Sequence, residues 1–317
     1  MSILARPAVA AFAAKTMQGL TKLASRRTSG AGSAAAWQAR FPEYPRDVSE
    51  LTVPTSVAPA PVTVYAPPAG TATRPPVHVN FHGGGYIMSM PEVDDGLCRV
   101  LAAEAGVVVV NVKYVVAPQH PFPAATTQAY DIVRWVAGHG AEHGWDGRRL
   151  TVGGQSAGGG LAAAVARQSL EQGGPSIALQ VLHYPPLDLA TSARDKKAAV
   201  ARPMLRPWLG DIFDSSYVPD PRERAHRFVS PAHASDTAGL EGIAPALVIT
   251  AEYDLLRNEA VRYAERLDEA GALVEHHDIA GADHGYDTKD DERARTAYAL
   301  IARHLRQATG SGASQAS

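Results

Sequence analysis

The 317-residue chain is 45% hydrophobic and 20% charged, and its 30 Lys and Arg against 32 Asp and Glu leave a formal net charge of -2. Near-neutral charge without a long basic run argues against nucleic acid or an anionic membrane surface as the main partner and points to a small-molecule substrate. A single cysteine, Cys98, rules out an intrachain disulfide framework, and no run nears the ~20 apolar residues of a membrane span.

In chain order, residues 1–50 read as a preamble of Ala-rich helical pieces, with the basic pair Arg26-Arg27 and a flexible Ser29–Ser33. Ala8–Ala14 lies between Arg6 and Lys15 and is too short for a signal-peptide core, so a cytoplasmic location is expected, with peripheral membrane association through this segment as the alternative. Short β-branched runs then alternate with Ala- and Leu-rich stretches. Strands are expected at Val62–Tyr65, Val77–Phe81, Val107–Val112, Leu150–Val152, Ala178–Leu182, Ala246–Thr250 and Leu273–Ile279. Helices are expected at Val93–Glu104, Ala124–Ala137, Gly159–Glu171, Asn258–Ala270 and Glu292–Gln307. Several strands are continuous apolar runs, as in a parallel sheet covered on both faces, so the fold class is α/β with a mostly parallel central sheet.

This division gives a core of residues 51–186 and 245–308 and a small-residue tail, 309–317, with the composition of a disordered end. Leu187–Ala244 is too long for a simple crossover, and it carries Trp208, Phe213, Tyr217 and Phe228 among five prolines. A connection of this kind is expected to form a cap over the carboxyl ends of the strands, where ligands bind open α/β sheets. Cys98 sits in an apolar helical stretch and is expected to pack.

Gly154-Gln155-Ser156-Ala157-Gly158 follows one expected strand and opens a helix. A serine at such a turn stands exposed above the sheet, and side chains two residues to either side would collide, which suits glycine. His82-Gly83-Gly84-Gly85 follows another strand, and its glycines let backbone N–H groups approach a ligand. The amides of Gly83, Gly84 and Ala157 are therefore expected to form an oxyanion hole, each donor worth about 3 kcal/mol of barrier. His82 is expected to brace this loop. Neither a dinucleotide fingerprint nor a P-loop is present.

Serine needs a base held by an acid. Asp254 follows Ala246–Thr250 and His284 follows Leu273–Ile279, and the order Ser156, Asp254, His284 is that of an α/β-hydrolase. Glu252 is the alternative acid, and Asp283 adjoins His284 too closely to reach its ring. His139 and His143 lie among glycines, and His276 and His277 point to opposite faces of a strand, so no metal site is expected and the reaction calls for no cofactor.

From about residue 60 to the last helix the chain resembles bacterial carboxylesterases of the hormone-sensitive-lipase-like group in the α/β-hydrolase superfamily. The resemblance rests on His82-Gly83-Gly84-Gly85-Tyr86, Ala117–Ala124, Gly154–Gly159, Tyr184-Pro185, Ser230-Pro231, Glu252-Tyr253-Asp254 and His284-Gly285-Tyr286. It implies Ser156 as nucleophile, His284 as base, Asp254 as acid, and a helical cap built from residues 1–50 and 187–244. It also implies small to medium acyl esters as substrates. Tyr86, Gln155, Trp208, Phe213 and Tyr217 are candidate substrate-binding residues, and a homodimer is compatible with all of this.

Two positions depart from the group. Gln155 stands where Asp is common, and this loss of negative charge is expected to change the pH optimum slightly. Val115-Val116 replaces a frequent Arg-Leu, so any brace made by that arginine is missing or supplied elsewhere. The alternatives in function are another acyl compound (an acetylated drug or sugar, a lactone, an amide) on the same machinery, or a non-catalytic binder.

Overall fold

The computed structural model describes residues 2–27 and 34–310. The expected flexible stretch Ser29–Ser33, the side chains of Arg26 and Arg27 and the tail beyond Gly310 lie outside the described residues. A helix over Pro7–Arg27 (α1) and a short one at Ala34–Gln38 (α2) precede a hairpin of Val48–Val53 (β1) and Ala60–Tyr65 (β2). Pro76–Phe81 (β3), Asp95–Ala105 (α3), Val108–Val112 (β4), Ala124–His139 (α4), Asp146–Gln155 (β5), Ala157–Gln172 (α5) and Leu179–His183 (β6) follow in alternation. The long connection carries Pro207–Tyr217 (α6), and the chain ends with Ala246–Ala251 (β7), Arg257–Glu269 (α7), Leu273–Ile279 (β8) and Asp291–Thr309 (α8).

The strands form one sheet in the order β1-β2-β4-β3-β5-β6-β7-β8, with β2 antiparallel to both neighbours and β3 to β8 parallel. This is the expected mostly parallel sheet, with one addition. β1 was not expected: it is an edge strand whose Ser49, Glu50 and Thr52 face solvent, so it lacks the apolar run that marks the buried strands. Preceding residues 38–44 are stapled to α3 by Arg99, whose guanidinium donates to the carbonyls of Gln38, Arg40, Phe41 and Tyr44 and to Asp95.

Alternation along β4 builds a core on each face of the sheet. Val108, Val110 and Val112 join Ile132, Leu161 and Tyr263 of α4, α5 and α7, whereas Val109 joins Leu97, Leu101 and Ile301 of α3 and α8. Each fully buried Val or Leu contributes about 1.5–3 kcal/mol, so these two layers hold the fold. Cys98 is buried in the second layer.

Register decides what meets at the carboxyl edge. Phe81 of β3 pairs with Gly154 of β5, and Gln155 pairs with His183 of β6, so the loop after β3 and the turn after β5 emerge side by side. Over this edge α1 packs against α6. Ser215 Oγ donates to the Ala5 carbonyl at 3.1 Å, and the Gln18 amide donates to the carbonyls of Ile87 and Ala117 at 2.6 and 2.9 Å. Among the described residues, no helix is long and apolar enough to cross a membrane.

Candidate active site

Ser156 sits between the end of β5 and the first residue of α5 with φ 51° and ψ -120°, a conformation that side chains rarely adopt. The turn is held from both sides: Ser156 N donates to the His183 carbonyl at 2.9 Å, and Gly160 N donates to the Ser156 carbonyl at 3.1 Å. Gly158 lies so close to β3 that a β-carbon there would overlap the carbonyl oxygen of Phe81. The sequence thus places its glycine where backbone approaches backbone, and the hydroxyl is left at the edge of the sheet.

The loop after β8 brings His284 to this hydroxyl. Its Nε2 lies 2.8 Å from Ser156 Oγ, and its Nδ1 lies 2.7 Å from Asp254 Oδ2. The Asp254 carboxylate accepts the Nδ1 proton, which leaves Nε2 free to accept the serine proton. Asp254 is 2% exposed, His284 is 7% exposed, and Leu256 N donates to the other Asp254 oxygen at 3.0 Å. Burial pushes the imidazole pKa down, but the charge and hydrogen bond of Asp254 outweigh it, with Asp287 and Asp283 adding to them, and the net shift is upward.

The other candidate carboxylates are engaged elsewhere. Glu252 accepts from Gly281 N at 2.7 Å and so ties the loops after β7 and β8 together. Asp283 accepts from His284 N and Met204 N, both at 2.7 Å.

Gly83 of the glycine loop lies directly beside the serine: a β-carbon on it would be 3.7 Å from Ser156 Cβ. Gly84 has φ +122°, and a β-carbon there would fall 2.6 Å from the Met88 carbonyl oxygen, so only glycine fits. Among the described residues, the amides of Gly83, Gly84 and Ala157 donate to no protein acceptor. His82 is buried, its pKa pushed down to about 4 by desolvation, and its Nδ1 donates to the Gly83 carbonyl at 2.6 Å. Tyr114 stacks on the His82 ring with centroids 4.3 Å apart and donates to the His82 carbonyl at 2.9 Å, while Gln128 accepts from Val115 N at 2.7 Å. These residues brace the segment in which Val115-Val116 departs from the group.

A cavity of about 270 Å³ opens on Ser156 and His284. Tyr86, Gln155 and Phe213 line it, whereas Trp208 and Tyr217 do not. Trp208 is 46% exposed on the outside of α6, and Tyr217 is buried against Tyr86, ring centroids 3.9 Å apart, so it supports the wall from behind. Leu205, Leu209, Leu255 and Asp214 also line the cavity and went unnoticed in the sequence. They come from the long connection and the turn after β7, where no motif marks them.

A further lining residue, Asp94, has no exposed surface, and its only side-chain partner among the described residues is the Asn80 amide at 2.8 Å. Burial pushes its pKa up to about 8, against the pull of that amide. A carboxyl raised in the folded state stabilises nothing at low pH and costs stability as pH rises from about 4 toward that value. Asp94→Asn is therefore expected to be more stable than the parent at alkaline pH, by a few kcal/mol at most, with the gap closing toward pH ~4. Urea unfolding at both ends of the window checks this, and a gap of constant size would count against it.

Residues 78–288 match a family model described as the alpha/beta hydrolase fold. The chain is 36% identical over 260 residues to esterase LipI of Mycobacterium tuberculosis, covering 78% of this chain and 77% of the relative. It is 34% identical over 254 residues to an ethyl acetate hydrolase of Pseudomonas putida, covering 77% of each. Among solved structures, an esterase of Pyrobaculum calidifontis superposes with a TM-score of 0.80 at 33% identity, covering 93% of this chain and 92% of that one.

Proposed function

The chain belongs to the α/β-hydrolase family, among the hormone-sensitive-lipase-like esterases, and is a carboxylesterase-type hydrolase; from this premise we propose that Ser156, His284 and Asp254 hydrolyse small to medium acyl esters in two acyl-transfer steps. Ser156 Oγ attacks the ester carbonyl while its proton passes to His284 Nε2. The carbonyl oxygen becomes an oxyanion held by the amides of Gly83, Gly84 and Ala157. His284 then gives the proton to the departing alkoxide, leaving an acyl-serine. Water, deprotonated by His284, attacks this intermediate, and the proton returns to Ser156 Oγ as the acid leaves.

The observation that carries this reading is the unbroken line from Asp254 Oδ2 through His284 to Ser156 Oγ, at 2.7 and 2.8 Å, beside amides with no protein acceptor among the described residues. Asp254 fixes the tautomer and stabilises the imidazolium as it forms, and each oxyanion donor adds about 3 kcal/mol at the transition state. We also take α1 and α6, with the rest of residues 187–244, as a cap that walls the acyl pocket.

The cavity of about 270 Å³ lies at or below the ~300–1,000 Å³ that encloses drug-sized ligands, which favours short chains. In a panel of aryl esters from acetyl to dodecanoyl, kcat/KM is expected to peak among the shorter acyl groups and to fall by about tenfold or more at the longest. A profile that keeps rising to dodecanoyl would refute the size assignment. Amides, lactones and acetylated sugars in the same panel separate the ester reading from its nearest rival.

A further inference from the structure

Asp287, three residues beyond His284, is a carboxylate with no exposed surface. Its Oδ1 accepts from Tyr184 OH at 2.6 Å, and its Oδ2 accepts from Gln155 Nε2 at 2.8 Å and Tyr298 OH at 3.0 Å. Arg40 donates to its backbone carbonyl, not to its carboxylate. Among the described residues, no cationic side chain pairs with this carboxylate. Three neutral donors hold the charge in place without cancelling it, so its field reaches whatever cation forms nearby.

That cation is the imidazolium. The Tyr184 ring that donates to Asp287 packs against His284, centroids 4.8 Å apart, and Gln155 is the residue immediately before Ser156. Asp287 is one of the groups that raise the His284 pKa, after Asp254. The other groups around this imidazole are Asp254 from the loop after β7, Asp283 from its own loop and His183 at the end of β6, and Asp94 faces Asp287 from the turn before α3. Burial holds His183 neutral, with its pKa near 4, so the carboxylates set the local field.

We propose that Asp287 is a positioning residue for the hydrolytic reaction: its buried charge stabilises the His284 imidazolium and supplies, from the far side of the Gln155 amide, the negative charge that position 155 lacks. The proposal rests on the assignment of His284 as the base. It also revises the expectation for Gln155, because the charge beside the nucleophile has moved across one hydrogen bond. A carboxylate at both ends of that bond would force the pair to share a proton.

The test is a charge transplant read by the acid limb of kcat/KM and by the titration of the His284 Nδ1 proton in NMR. Asp287→Asn is expected to move both to lower pH by about half a unit or more and to lower kcat by about tenfold. Gln155→Asp combined with Asp287→Asn returns the charge to the same contact and is expected to restore the parent limb. Gln155→Asp alone is expected to lose thermal stability between about pH 5 and pH 8, as the shared proton is stripped.

A limb that stays at the parent position in Asp287→Asn, or stays displaced in the double variant, overturns the proposal. Should Asp287→Asn not fold, the double variant decides alone. Labelling of the parent by a fluorophosphonate, absent in Ser156→Ala, reports on the underlying assignment independently of either limb.

Discussion

Ser156→Ala is expected to lower kcat by about 10⁴- to 10⁶-fold, to leave KM within a few-fold, and to abolish the adduct that a fluorophosphonate forms with the parent. The size follows from what the hydroxyl does. Without Oγ there is no acyl-enzyme, and only water activated by His284 can attack, while the amides of Gly83, Gly84 and Ala157 still polarise the carbonyl. The residual rate measures what those donors, water activated by His284 and substrate positioning supply without the nucleophile. The fold should survive, because the turn is held by the Ser156 backbone, through its amide to His183 and its carbonyl from Gly160, and not by Oγ. Intact mass after probe treatment and single-turnover kinetics check both halves. A parent that takes no label would favour a non-catalytic binder, and a variant that keeps its label would place the nucleophile elsewhere.

The second large effect separates two acids two residues apart. Asp254→Asn is expected to lower kcat by about 10⁴-fold near neutral pH, whereas Glu252→Gln stays within a few-fold of the parent. An amide at position 254 can donate to Nδ1, which leaves the proton on Nε2, where it cannot accept from Ser156. Glu252 instead accepts from Gly281 N at 2.7 Å, so its amide analogue keeps that bond and leaves the imidazole untouched. Because Asp254 is the main group raising the His284 pKa, the acid limb of the activity left in Asp254→Asn should also move to lower pH. Equal losses in the two variants, or the larger loss at residue 252, would reverse the assignment.

Most of the parallel strands were legible because they are buried on both faces and run largely apolar, as in Val108–Val112 and Ala246–Ala251. β1 was not, since an edge strand with one solvated face can be half polar. Trp208 and Tyr217 show the same limit in the long connection. An aromatic residue in a long connection has no periodic signal to say whether it faces the cavity, the solvent or a neighbouring ring, and these two face the last two. Asp287 carried no signal either, as a turn residue just past His284. Only its burial and its bond to Gln155 mark it.

Local chemistry was written in the chain itself: at Gly84, Gly154 and Gly158 a β-carbon would strike backbone, and that constraint acts on residue type at fixed spacing. Which carboxylate meets the imidazole, which side chains wall the cavity and where the uncompensated charge lies were decided by tertiary structure. Those relations join residues 30, 72 or 132 positions apart, as in Asp254 with His284, Leu187 with Glu259 and Gln155 with Asp287. Strand register and helix packing set such distances, and each is a sum over many burial contacts that no short stretch of sequence encodes.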